Sequence, residues 1–209
     1  MTMKRILVIA AALLLMAGCH KEDSDHREPP VVGAVDLGLS VDWAVCNLGA
    51  DNAWEYGNYY SWGEVVSIED KIAEKNDSKI TPINISGTSY DAASIELGKS
   101  WALPTGEQFA ELISSCSWEW DNTDNHRGYM ITGPNGNQLF LPAAGCIFKE
   151  GYRYYNQFGY YWTGDRHERT NSMAKVLIIG IGEINLEFGK KYVGRSVRAV
   201  YTKEDAIGK

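Results

Sequence analysis

"LPTGEQFAELISSC", residues 103–116, is the stretch whose reading decides the fold class. Thr105 has the chemistry of an N-cap and Gln108 stands three residues on, so the two form a capping box in which each side chain satisfies the other's free backbone N–H. Phe109, Leu112, Ile113 and Cys116 recur at i, i+3, i+4 and i+7, which places them on one apolar helical face. A helix is predicted here, one clear helix in a chain whose other patterns are short and extended.

On its C-terminal side the period changes to two. "GYMIT" and "NQLFLP" flank Gly133-Pro134-Asn135-Gly136, an Asn-Gly turn signal for a hairpin. Farther on, "MAKVLIIGIGEINLEFGKKYVGRSVRAVY" divides into three strands, bent at Gly180, Gly182, Gly189 and Gly194. In the last of them Val197, Ala199 and Tyr201 share one face, and Arg198 and Val200 the other. On the N-terminal side, Val41, Trp43 and Val45 alternate with Asp42, Ala44 and Cys46, again a strand. "WEYGNYYSWGE" predicts short strands or turns, and residues 66–90 an irregular excursion. The sum is one or two helices and at least six short strands: an α+β domain rich in irregular structure.

The ends carry an address. Lys4 and Arg5 precede the ten apolar residues Ile6–Leu15, then Met16-Ala17-Gly18 and Cys19. Ten residues are too few to span a bilayer, and the layout is that of a cleaved secretory signal. Ala-Gly-Cys resembles a bacterial lipobox, with Met16 in place of the usual leucine. Residues 1–18 are then a lipoprotein signal peptide, and Cys19 becomes the acylated first residue. Two or more acyl chains give a stable anchor without a spanning helix. Residues 19–33 are acidic and end at Pro29-Pro30, a flexible tether. Lys21-Glu22-Asp23 resembles the acidic export signals of surface lipoproteins; the alternative is a plain solvated linker and retention facing the periplasm. The expectation is an outer-membrane lipoprotein exposed at the cell surface. The structured domain is assigned to residues 34–202 and a C-terminal tail to 203–209.

The formal charge is −7, and near −9 once residues 1–18 are removed. An acidic chain without a basic stripe excludes nucleic acid as a partner and makes anionic lipid an unfavourable one.

The segments "VDLGLSVDWAVCNLGA", "YGNYYSWGE", "WALPTGEQFAELISSCSWEW", "LFLPAAG", "YYW" and "SVRAV" follow one another over residues 35–200. This series resembles the family called Fibrobacter succinogenes major paralogous domain, found among surface lipoproteins of gut bacteria. The Leu103-Pro104-Thr105 helix entry and the "VRAV" ending also look like formylglycine-generating-enzyme and C-type-lectin-like domains. The resemblance implies a C-type-lectin-like fold: strands joining the two chain ends, one or two flanking helices and a long loop region. The family's arginine after the Trp of the "WALPTGEQF" motif is Ala102 here, so any buried ion pair that arginine makes in the family is absent from this chain. Cys46 and Cys116 both fall within family motifs, and the resemblance implies a disulfide between them, with Cys146 a small buried hydrophobe.

Catalytic chemistry finds no motif. The oxidase related to this fold needs a reactive cysteine pair near the C-terminus, and no cysteine follows Cys146. G-x-S-x-G, H-E-x-x-H and P-loop patterns are absent from the sequence. The expectation is a non-enzyme with no cofactor and no metal. Asp165, His167 and Glu168, interleaved with Arg166 and Arg169, read as a solvated charged loop. Asp121, Asn122, Asp124 and Asn125 offer oxygen donors for calcium, but Asp and Asn are also ordinary turn formers.

"GYRYYNQFGYYW", residues 151–162, holds seven aromatic residues in twelve. Tyr160, Tyr161 and Trp162 enter a central strand as core; alternation buries either Tyr160 and Trp162 or Tyr161 alone. Tyr152, Arg153, Tyr154 and Tyr155 lie ahead of it in a polar loop, a composition suited to stacking on a ligand. The function expected is a lipid-anchored surface domain of adhesion type that binds an unknown glycan or protein. The alternative is a structural accessory subunit of a surface assembly.

Overall fold

The structure is a computed structural model that describes residues 33–68, 80–122 and 126–202. Within them the chain forms β1 (Ala34–Val35), β2 (Asp42–Ala44), α1 (Ala92–Leu97), β3 (Trp101–Ala102), α2 (Gly106–Ser115), β4 (Ser117–Asp121), β5 (Gly128–Thr132), β6 (Gln138–Pro142), β7 (Cys146–Phe148), β8 (Gly151–Arg153), β9 (Phe158–Arg166), β10 (Met173–Gly180), β11 (Glu183–Lys190) and β12 (Val200–Tyr201). The strands are mostly antiparallel and lie in several small sheets, with the two helices beside them: an α+β architecture. No described helix is long and apolar enough to cross a membrane.

The sheet β1-β2-β12-β3 joins the two ends of the domain, with Val200 opposite both Trp43 and Ala102. A meander β4-β5-β6 follows α2, and its second turn is the Asn-Gly hairpin the sequence predicts. The sheet β11-β10-β9 is the centre of the molecule. Both faces of β9 and β10 are buried. Trp162, Ala174 and Val176 point into one apolar cluster with Tyr60, Trp62, Trp101, Leu103 and α1. Tyr161, Leu177 and Ile179 point into the other, against Trp43, Phe109, Leu112, Tyr129 and Ile131. The either-or expected of the "YYW" strand is therefore corrected: Tyr161 and Trp162 are both buried on opposite faces, and Tyr160 is half-buried. A strand covered on both sides does not have to alternate apolar with polar.

α2 forms as its sequence dictates. Thr105 Oγ1 accepts from Gln108 N–H, Gln108 Oε1 accepts from Thr105 N–H, and Phe109 and Leu112 are fully buried. α1 sits just beyond the predicted excursion and has a different origin. Asp91, its N-cap, is buried and accepts from the backbone N–H groups of Gly87, Ala93, Ser94 and Leu103, so one carboxylate gathers the loop, the helix start and β3. The faces predicted for the last strand hold: Val197, Ala199 and Tyr201 pack in the Trp62 cluster and Val200 in the Trp43 cluster. Arg198 is fully buried and donates to Asn47 Oδ1 and to the carbonyls of Ala44 and Val45.

Two tryptophans lock the segment 59–64 to the core. Trp62 Nε1 donates to Thr163 O, and Trp162 Nε1 donates to Tyr60 O, both at 2.8 Å. Each ring carries a buried cation on its face: Lys191 Nζ is 4.1 Å from the Trp62 ring centre, and the Arg195 guanidinium 4.1 Å from that of Trp162. Among the described residues no carboxylate pairs with either; Lys191 Nζ donates to Asn171 Oδ1 and Arg195 to Lys190 O, and the ring faces supply the rest of the negative potential. Burial lowers the Lys191 pKa to about 8 and that of Arg195 to about 10.

Candidate functional site

β9 carries a distinct surface at each end. At its start, the hairpin β7–β8 sets Ile147 opposite Tyr152 and Cys146 opposite Arg153. The chain then turns back at Tyr154–Gln157 to enter β9. Tyr154 and Asn156 hold φ of 63° and 60°. A bulky ring in the left-handed region is an outlier, and such a conformation survives only when its surroundings fix it. They do so here. Gln157 and Phe158 N–H both donate to Tyr154 O, Asn156 N–H donates to Ala143 O, and Gly145 N–H donates to Phe158 O. Tyr56 Oη donates to Asn156 Oδ1 at 2.6 Å. Gly145 has φ 68°, and a Cβ there would collide with Arg153 O and Tyr155 N, so glycine is what lets the turn lie down on the strand entry.

The pinned turn holds its rings outward. Tyr152, Tyr154 and Tyr155 are 51, 45 and 56 % exposed, and Arg153 is exposed beside them. Two of the three tyrosines rest on other rings: Tyr152 edge-on to Tyr59 at 5.5 Å, and Tyr154 against Phe148, Phe158 and Tyr160 at 6.1–6.4 Å. The four residues singled out from the sequence are thus brought together on one exposed, braced turn. Beneath them, burial raises the Tyr160 pKa to about 12 and the Cys146 thiol to about 11.

The other end of β9 opens into a cleft of about 610 Å³ lined by residues of β9, β10, β11, the start of α2 and the segment before α1. Asp165 is its floor. Its Oδ2 accepts from Gly106 N–H at 2.6 Å, and its Oδ1 accepts from the Asn84 amide at 2.5 Å. The carboxylate thereby meets the positive end of α2. Gly106 has no side chain because a Cβ would lie 2.5 Å from Lys175 Cδ and 2.9 Å from Asp165 Oδ2. Arg166 donates to the carbonyls of Thr81, Pro82 and His167. The segment read as a solvated charged loop is therefore half strand, and two of its charges are tied down. His167 Nδ1 accepts from the N–H groups of Arg169 and Thr170, and the ring stands edge-on to Phe188 at 4.4 Å. Lys175 and Phe188 stand opposite one another on β10 and β11, and no motif in the sequence marks them. The clue was a lysine in phase with Leu177 and Ile179 in an otherwise apolar strand.

The implied disulfide is corrected: Cys46, Cys116 and Cys146 are free thiols. Cys46 lies past β2 and its thiol turns onto its own loop, donating to Ala50 O. Cys116 caps the end of α2 and packs half-buried against the Trp43 cluster. Cys146 is buried, as a small hydrophobe would be. The signal peptide, Cys19, the tether up to residue 32 and the tail 203–209 lie outside the described residues, as do Asp124 and Asn125 of the acidic turn. Among the described residues no cluster of three metal-ligating side chains occurs. Comparison with family models, with curated proteins and with solved structures finds no match for this chain.

Proposed function

We propose that this chain is a non-catalytic binding domain of C-type-lectin-like fold, held at the outer surface of an outer membrane by an acylated Cys19, and that it recognises a glycan through the Tyr152–Tyr155 turn. One observation carries the reading: three half-exposed tyrosines and an arginine stand on a turn whose strained backbone is braced by hydrogen bonds and by a second layer of rings. Rings fixed before the ligand arrives lose little freedom on binding, which is what a weak, repetitive ligand such as a sugar requires. Exposed tyrosine beside arginine is also the composition of binding hot spots. The pairing of β2 with β12, which closes the domain at its two ends, supports the finer fold reading, and the series of motifs over residues 35–200 supports membership of the Fibrobacter succinogenes major paralogous domain family.

The test is a glycan array probed with the full chain in detergent, with and without calcium, beside a Tyr154→Ala, Tyr155→Ala double variant. Binding that the double variant loses supports the turn as a lectin site. Absence of binding to every glycan, with capture of one dedicated outer-membrane protein instead, overturns it in favour of a structural accessory subunit.

A further inference from the structure

We infer that the cleft at the far end of β9 is a second binding site, separate from the tyrosine turn, and that it takes a sugar bearing a carboxylate, of the hexuronate class. Phe188 supplies the platform. It is 41 % exposed although it sits on the sheet face that α2 covers elsewhere, and it lines the cleft. Its neighbours on that face, Ile184 and Leu186, pack into the Trp43 cluster. An apolar ring left open in a polar cleft suits the C–H face of a pyranose.

Around the ring stand groups with capacity to spare. Lys175 Nζ is 5.9 Å from the Phe188 ring centre, and no carboxylate among the described residues pairs with it. The Arg169 side chain lines the same cleft, again without a carboxylate partner among the described residues. His167 Nδ1 is occupied by two backbone N–H donors, so the neutral ring carries its hydrogen on Nε2 and keeps a donor. Glu107 and Glu168, on the lining, offer acceptors for hydroxyl groups. Asp165 takes its two hydrogen bonds from Gly106 and Asn84, so it holds the cleft's shape and leaves the donors of Lys175 open, although its charge lies within about 6 Å of Lys175 Nζ. The set matches a ring with one apolar face, several hydroxyls and one carboxylate. A neutral sugar would give the Lys175 ammonium no direct carboxylate contact, and a bare anion would leave the exposed part of Phe188 uncovered.

The experiment is ligand-observed NMR titration of the full chain in detergent with methyl β-glucuronide and, separately, methyl β-glucoside. The glucuronide is expected to bind at least fivefold more tightly. Lys175→Gln should reduce it to the level of the glucoside, Phe188→Ala should weaken both at least fivefold, and the Tyr154→Ala, Tyr155→Ala double variant should change neither. Phe188→Leu, which keeps an apolar contact but no ring face, guards against a folding defect: it should retain the native melting temperature and still weaken both sugars. Equal affinity for the two probes, no binding of either, or glucuronide binding lost only in the tyrosine double variant overturns the proposal. Loss of glycan binding at the tyrosine turn alone would leave these values untouched, so the two sites fail separately.

Discussion

At Phe158, β9 is entered from a turn of aromatic rings on a backbone held at positive φ; at Arg166 it leaves among charges tied to backbone groups. The two ends are roughly 25 Å apart at the ordinary strand rise. Between them Tyr161 and Trp162 anchor the strand in both clusters. The difference lies in what is left over. The aromatic end spends its hydrogen bonds on bracing the backbone and leaves rings exposed. The charged end spends Asp165 and Arg166 on bracing α2 and residues 81–84, and leaves Lys175 and Arg169 without a carboxylate partner among the described residues and the Phe188 ring 41 % exposed. One strand thus presents two rigid but chemically opposite surfaces.

The sharpest way to break this comparison is Asp165→Ala. It deprives Gly106 N–H and the Asn84 amide of their acceptor and takes a negative charge from the start of α2. Two lost charge-assisted bonds should cost about 2–3 kcal/mol in urea-monitored unfolding. Amide exchange should speed up at Gly106 and near Asn84, and remain unchanged at Asn156 and Gln157. Equal acceleration at both ends would mean that β9 does not insulate them.

Lys191→Met tests the buried charge beneath the same end. Its folded pKa, about 8, lies below its unfolded value of 10.5. Between those values the unfolded chain binds more protons, so stability contributed through this group rises with pH across pH 8 to 10.5. Below pH 8 the cost of burying the ammonium is present in full. The methionine variant should therefore gain about 1 kcal/mol at pH 7, and the gain should shrink as the pH approaches 10.5. A gain that does not vary with pH would show that the Trp62 ring offsets the burial cost.

How much of this was legible in the sequence follows from the range of each interaction. α2 was readable because Thr105 and Gln108 satisfy each other within one turn, and the β5–β6 hairpin because Asn135-Gly136 states its turn locally. α1 was not, since its cap, Asp91, is held by Gly87 and Leu103 as much as by the helix it starts. Nor was the double burial of β9, which depends on segments more than a hundred residues away, as the Trp162–Tyr60 bond shows. The tyrosine turn announced itself by composition. The cleft did not, because Asn84, Gly106, Asp165, Lys175 and Phe188 meet only when three strands and a helix start are assembled.

The smallest effect expected is also the finest test of the aromatic end. At Tyr154, φ is 63°, a conformation that costs an L-residue about 1 kcal/mol and glycine almost nothing. Replacing the tyrosine removes its ring contacts with Phe148, Phe158 and Tyr160 in either variant. Tyr154→Gly and Tyr154→Ala therefore differ chiefly in backbone strain. Glycine should be the more stable of the two by about 0.5–1 kcal/mol in thermal unfolding, offset in part by its freer unfolded chain. Both should lose ligand binding at the turn if the ring does the recognising. Should Tyr154→Gly keep its affinity, the ring is a brace, and recognition passes to Tyr152 and Tyr155. Alanine and glycine variants of equal stability would mean that the hydrogen bonds to Tyr154 O and Asn156 N–H relax the turn once the ring is gone. The strain at that end would then be a consequence of the ring's own packing rather than of the scaffold that carries it.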